Sequence, residues 1–305
     1  MALASGAPVV PPLGPGPHFG VFVTPAAADH ERIVEQVAAA ERGGLDLIGI
    51  QDHPYQRRFL DTFTLIADLA ARTDRIRFFP DVANLPLRGP TMIAKAAASL
   101  DVMSRGRFEL GLGAGAFWDA VAGMGGPRRR AGESIEALAE AMRIVRAVLD
   151  GERVVRGTGP HYPVPGYPPG PAPAHRVELW VGAYRRRGLG LIAEVGDGWV
   201  PSLGYLPPAG YRRAAAWLDE AATRAGRDPR AIRRLYNLAG VITDGRVGDE
   251  PLVGPVELWV ERLTEWTLDL GVDAFLFSPP DMGTDAIERF AADVVPAVRH
   301  AVAGG

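Results

Sequence analysis

The residues of this 305-residue chain that could do chemistry gather in a few short stretches. They are Gln51-Asp52-His53, Asp81 to Leu85, Gly113 to Trp118 and Gly182 to Arg187, with Thr24-Pro25, Ser202 and Ser278 as smaller stations. His53 is a candidate acid or base, because imidazole gives or takes a proton near neutral pH, and Asp52 can orient it or accept a hydrogen bond. The alternative is an Asp that caps a loop beside a half-exposed His. Gly113, Ala114 and Gly115 allow the backbone to approach a planar ligand closely, or simply turn a strand into a loop. Gly182-Ala183-Tyr184 ends an expected strand just before a helix. Arg185-Arg186-Arg187 then places three cations against the helix dipole, an arrangement that calls for an anion or for full solvation. Arg128-Arg129-Arg130 repeats it, with Glu133 and Glu136 as local compensation.

Other chemistries lack their residues. There is no cysteine, so disulfides, thiolate nucleophiles and Cys-ligated metals are excluded, and no metal is expected. Neither a paired-histidine zinc motif nor G-x-S-x-G occurs. A site this poor in acids and bases suits a reaction carried by a bound cofactor. The net charge of -3 gives no basic field for nucleic acid. Apolar runs are of strand length, too short for a membrane span. Residues 1–17 are rich in Pro and Gly without a basic start or a sustained apolar run, and read as a flexible arm. A cytoplasmic protein acting on a small molecule is the default expectation.

The elements that must position these stretches follow a repeating beat of strand then helix. FGVFV (Phe19 to Val23), LDLIGI (Leu45 to Ile50), RIRFFP (Arg75 to Pro80) and RFELGLG (Arg107 to Gly113) are the first four expected strands. Between them lie helical stripes such as Ile33, Val34 and Val37, ended by Gly43-Gly44, and a helix opened by Pro90. A helix carrying Ile135, Leu138, Met142, Val145 and Leu149 stops at Asp150-Gly151. The Pro/Gly-rich segment Val154 to Ala174 then breaks the beat and reads as an insertion, around residues 151–176, with a short hairpin. VELWVGA (Val177 to Ala183), DGWVP (Asp197 to Pro201), RLYNLAGVIT (Arg234 to Thr243) and VDAFLFS (Val272 to Ser278) complete eight strands, each followed by a helix. The pattern predicts an α/β fold, a TIM-type (β/α)8 barrel with insertion segments occupying residues 18–305; an open doubly wound sheet is the rival. In either, the stretches above fall at the C-terminal ends of the strands, where such folds place their sites. Trp199, in GDGW, reads as a pocket wall or a core aromatic.

Several blocks together carry a resemblance. IRFFPDVANLPLRGPTMIAKAAASLDVMSRGRFELGLGAG, followed downstream by LWVGAYRRRGLGLIAEVGDGWVPS, resembles the bacterial luciferase-like flavin oxidoreductases, and the match runs from Phe19 to the DAFLF strand. The resemblance implies a TIM-like barrel, a homodimer, and FMN or the deazaflavin F420 as cofactor. In F420-using relatives an Asp-His pair like Asp52-His53 lies at the deazaflavin with the histidine near the reacting carbon, and Asp-His rather than Glu-His favours F420. The resemblance also implies a bulge with a cis non-prolyl peptide behind the ring, mapped to Pro80-Asp81, so that Asp81, Val82, Ala83 and Asn84 join Gly113 and Ala114 against the cofactor. Gly182, Ala183, Tyr184 and Arg185 would hold its phosphate, and the two arginine runs an acidic tail. One departure stands out: some relatives place a glutamate just after the G-x-G, where this chain has Ala116, Phe117 and Trp118. The substrate cannot then be copied from them, and an apolar one is favoured. The implied activity is hydride transfer between F420 and a small organic substrate. The alternatives are an FMN-dependent monooxygenase, fed by a partner reductase and using O2, and a non-catalytic flavin-binding protein.

Overall fold

A computed structural model describes residues 9–281 and 283–304. The first half runs β1 (His18–Val23), α1 (His30–Arg42), β2 (Leu47–Ile50), α2 (Thr62–Ala71), β3 (Arg77–Pro80), β4 (Ala83–Asn84), α3 (Leu85–Arg88), α4 (Pro90–Ser104), β5 (Leu110–Gly113), α5 (Trp118–Gly123) and α6 (Ala131–Leu149). The second runs β6 (Val155–Gly157), β7 (Val164–Tyr167), β8 (Leu179–Gly182), α7 (Arg186–Val195), β9 (Gly198–Trp199), α8 (Pro208–Arg224), β10 (Arg233–Ala239), β11 (Val241–Ile242), β12 (Val253–Gly254), α9 (Val256–Leu270), β13 (Ala274–Ser278), α10 (Asp285–Arg289) and α11 (Val295–Ala303).

Parallel strands in the order β3-β2-β1-β13-β10-β9-β8-β5-β4 form the main sheet. β3 and β4 are two halves of one stave: β3 pairs with β2 and β4 with β5. A parallel bridge from Phe78 to Phe108 joins the two edges, with Phe78 N donating to Arg107 O and Glu109 N to Phe78 O, both at 2.9 Å. The eight staves therefore close into a barrel, and the open-sheet rival falls. Strands buried on both faces read as nearly unbroken apolar runs, as LIGI and AFLF do here. One apolar cluster fills the space between strands and helices; a second, of Leu47, Phe79, Trp180, Val200, Leu235, Ala274 and Leu276, fills the barrel interior.

The expected insertion contains the antiparallel hairpin β6–β7, pairing Val155 with Tyr167 and Gly157 with Val164. Local differences have local causes. The seventh strand ends at Ala239 and not Thr243, because Val241–Ile242 turns away to pair with β12. The last helix, expected over Thr284 to Val298, runs on to Ala303 through a π-type turn at Phe290–Val294. Residues 1–8 of the expected flexible arm lie outside the described residues. The part from Val9 onward is held against the N-terminal mouth of the barrel: Val10 N donates to Arg105 O at 2.9 Å, Arg77 donates to the carbonyls of Val10 and Pro11, and Arg233 to those of Leu13 and Gly14. Leu13 packs on the interior cluster. Among the described residues no helix is long and apolar enough to cross a membrane.

Candidate active site

At the opposite mouth the ends of β2, β3, β5, β8, β9 and β10 converge. β2 pairs with β1 through Ile50, and the chain then leaves the sheet carrying Asp52 and His53. Asp52 is 2% exposed and both its oxygens are engaged. Oδ1 accepts from Arg88 Nη2 at 2.8 Å; Oδ2 accepts from Arg88 Nε at 3.0 Å and from Asn84 N at 2.8 Å. Asp52 thus fastens α3 and β4 to the end of β2, a bidentate pairing of fixed geometry. Burial also acts on His53, lowering its pKa against the nearby charge of Asp52, which works the other way. The imidazole stacks on Tyr55, with ring centroids 5.4 Å apart, and meets Phe117 edge-on at 5.7 Å.

The third stave breaks one residue later than expected. Asp81 N still donates to Ile50 O at 2.7 Å, so the chain follows β2 through Asp81, and the cis non-prolyl peptide lies between Asp81 and Val82, not between Pro80 and Asp81. The loop then pushes Val82 into space that glycines leave open. A Cβ on Gly113 would stand 2.8 Å from Val82 Cγ2, one on Gly182 would stand 3.3 Å from the same atom, and one on Gly111 would lie 2.1 Å from Pro80 O. Missing side chains on β5 and β8 are therefore what admits the bulge.

These residues border one cavity of about 490 Å³. Asp52, His53, Asp81, Val82, Ala83, Asn84, Gly113, Ala114, Gly182 and Tyr184 all line it. A second hollow of about 420 Å³ lies beside it, bordered by Ile135, Gly182, Ala183, Tyr184, Arg185, Gly188 and Tyr205. It faces the start of α7 and brings in the two remaining predicted residues, Ala183 and Arg185. Trp199 is a core aromatic whose indole N–H donates to Ala183 O at 2.8 Å, fixing that loop from below. The arginine runs are more engaged than their spacing suggests: Arg128 meets Asp119, Arg129 donates to Tyr162 Oη, Arg186 stacks over Trp217 and Arg187 reaches Glu136.

Ser202, one of the smaller stations, also lines it, and further lining residues escape sequence reading: Phe22, Tyr55, Val200, Tyr205 and Asn237. Asn237 sits inside β10, where nothing in RLYNLAG distinguishes it from a core position except its polarity within an apolar run. It donates to Asp81 Oδ1 at 3.2 Å and to Ser202 Oγ at 3.3 Å. Three buried acceptors at this floor have no partner among the described residues: Asp81 Oδ2, Asn84 Oδ1 and Asn237 Oδ1. Burial raises Asp81 to about 7, opposed only by the hydrogen bond from Asn237. The arrangement can bind a planar, uncharged ring over a floor of glycine, Val82 and amide groups, with a titratable imidazole on the wall.

Known proteins share this architecture. A family model described as luciferase-like monooxygenase matches residues 17–246. A Mycobacterium tuberculosis protein described by name as a coenzyme F420-dependent oxidoreductase is 32% identical over 228 residues, 70% of this chain and 62% of its own. The chain spans the same 62% of an uncharacterised Mycobacterium bovis protein, at 31% identity. Among solved structures, an F420-dependent secondary alcohol dehydrogenase in complex with an F420–acetone adduct superposes with a TM-score of 0.82 at 18% identity, over 93% of this chain and 99% of that one. The EDTA monooxygenase of Chelativorans superposes with a TM-score of 0.80 at 16% identity, over 93% and 94%.

Proposed function

Since the chain belongs to the luciferase-like monooxygenase family, we propose that it is an oxidoreductase that binds F420 across the C-terminal mouth of its barrel and exchanges a hydride with a small organic substrate. The observation that carries the reading is the single cavity that gathers the Asp-His pair, the bulge and the glycine-lined strand ends. The name of the Mycobacterium tuberculosis relative supports F420 over FMN.

The residues present fit such a group. The glycines of β5 and β8 leave a flat floor above Val82, and the unpartnered oxygens of Asn84 and Asn237 await ring N–H donors. Asp81, Val82, Ala83, Asn84, Gly113 and Ala114 would back the ring, with Asp52 holding the loop in place through Arg88. Gly182, Ala183, Tyr184 and Arg185 would hold the phosphate, where N–H groups at the start of α7 add to the arginine's charge. Held there, F420 would supply the hydride acceptor or donor. His53 supplies the proton side: in the oxidising direction an alcohol carbon loses hydrogen with its electron pair, and the hydroxyl proton passes to the neutral imidazole, leaving a carbonyl. Tyr55 and Phe117 pack against that imidazole. A cytoplasmic homodimer acting on an apolar substrate completes the reading, and size-exclusion light scattering tests the dimer.

Absorbance and fluorescence titrations with F420 and with FMN test the cofactor. F420 is expected to bind more tightly and to be reduced by members of a small-alcohol panel. FMN binding alone, with O2-dependent turnover on supply of reduced flavin, would make the protein a monooxygenase. A stoichiometric chromophore with no hydride exchange would make it a binding protein. His53→Ala is expected to lower kcat about 100-fold or more while leaving the cofactor Kd within a few-fold.

A further inference from the structure

The pocket contains two carboxyl groups, and only one of them is spoken for. Asp52 is neutralised by Arg88. Asp81 is 8% exposed, sits at the barrel's inner wall where Gly49 leaves room for Oδ2, and receives one hydrogen bond, from a neutral amide. No Lys or Arg lines the cavity among the described residues. A carboxylate in such a place has lost most of its water and gained no counter-charge, the combination that most favours the protonated form. We propose that Asp81 is the pocket's own neutral acid, and that seating an uncharged ring on the floor above it draws a proton onto it, so that ligand binding and proton uptake are one event.

The proposal rests on the reading of the cavity as a planar-cofactor site, and it adds a charge rule. A ring covering the floor removes the water still reaching Asp81, which raises the cost of its charge further, so the site favours a ring edge that is neutral over one that is anionic. The other titratable groups around the cavity do not imitate this. On the β2 side Asp52 is locked to Arg88, and His53 has a lowered pKa and is already neutral above pH 7. Tyr55 and, from the β8–α7 loop, Tyr184 have phenols raised by burial and stay protonated. β10 contributes Asn237 and the chain after β9 Ser202, neither of which ionises. Asp81, raised by burial to about 7, alone changes charge across the neutral range.

Infrared difference spectroscopy of the ligand-free protein tests the first half. A protonated-carboxyl band present at about pH 5.5, lost by about pH 9 and missing from Asp81→Asn is expected. Asn237→Ala, which removes the one hydrogen bond favouring the ionised form, should carry that band to higher pH, and it serves as the second variant should Asp81→Asn fail to fold. No such band overturns the proposal whether or not any chromophore binds, which separates its failure from that of the proposed function. Calorimetric titration with F420 and with FMN near pH 7.5, in two buffers of different ionisation enthalpy, tests the second half. Uptake of about 0.5 to 1 proton per ligand is expected, with Kd rising up to about tenfold per pH unit above that point, and both effects vanish in Asp81→Asn. Uptake that is absent, or unchanged in Asp81→Asn, overturns it.

Discussion

His53 owes its chemistry to two opposing influences, burial that drives off its proton and the charge of Asp52 that would keep it. Burial dominates, so the imidazole is neutral at pH 7 and ready to accept a proton. With cofactor saturating, kcat for alcohol oxidation is therefore expected to fall only on the acid side, with a midpoint below 6.5, and kcat against pH in the wild type and in His53→Asn checks it. Arg88 works at the same scale without touching a ligand. Its removal strands the Asp52 carboxylate in a nearly dry place, and Arg88→Ala is expected to cost about 2–5 kcal/mol of stability, measured by urea unfolding. Asp52 and His53 were legible because they adjoin at the end of an apolar run. Arg88 and Asn237 were not, since their partners Asp52 and Asp81 lie 36 and 156 residues away and nothing local marks the pairing.

At the scale of elements, the floor of the cavity is made by one stave yielding to its neighbours. Val82 occupies what would be the side-chain space of Gly113 and Gly182. Gly113→Ala must displace it and is expected to cost about 1–3 kcal/mol and to weaken cofactor binding. Val82→Ala makes room, so the double variant should lose less stability than the two single losses added together; a double-mutant cycle in urea measures the difference. The long periodic elements could be read from spacing alone, as could the insertion hairpin. α3 and α5 could not, because four and six residues are too few for a helical stripe to declare itself. The bulge lies one residue beyond the place the resemblance mapped it to, because the missing N–H of Pro80 is harmless in a strand that hydrogen-bonds through Asp81 N.

Across the whole molecule the two mouths of the barrel have opposite characters. The cavity mouth leaves polar atoms unpaired; the N-terminal mouth pairs them densely. His175 Nδ1 lies 2.7 Å from Asp101 Oδ1 and its Nε2 3.0 Å from Glu109 Oε1, and Arg77 Nη1 donates to the same Glu109 oxygen at 2.9 Å. Burial opposes a charge on His175, but the hydrogen bonds it donates to the two carboxylates outweigh it and raise the group to about 9. A raised pKa gives stability that is fully present below 6.5 and lost as pH rises through about 9. Unfolding free energy is expected to drop by up to about 3 kcal/mol across that window, at about 1.4 kcal/mol for each tenfold change in proton affinity, and His175→Gln should flatten the drop. Urea midpoints between pH 6 and 9.5 decide it.

The segment Val10 to Gly14 closes that dense mouth, and its anchors are Arg77, Arg105 and Arg233. Seen in time instead of space, this means that residues made long before β10 are among the last to find their places. Val10 and Pro11 meet Arg105 and Arg77, but the carbonyls of Leu13 and Gly14 have no donor until β10, more than two hundred residues later, has joined the barrel. During refolding followed by pulsed hydrogen exchange, the amide of Val10, whose acceptor is Arg105 O at the end of α4, should gain protection after those of α1 and β2.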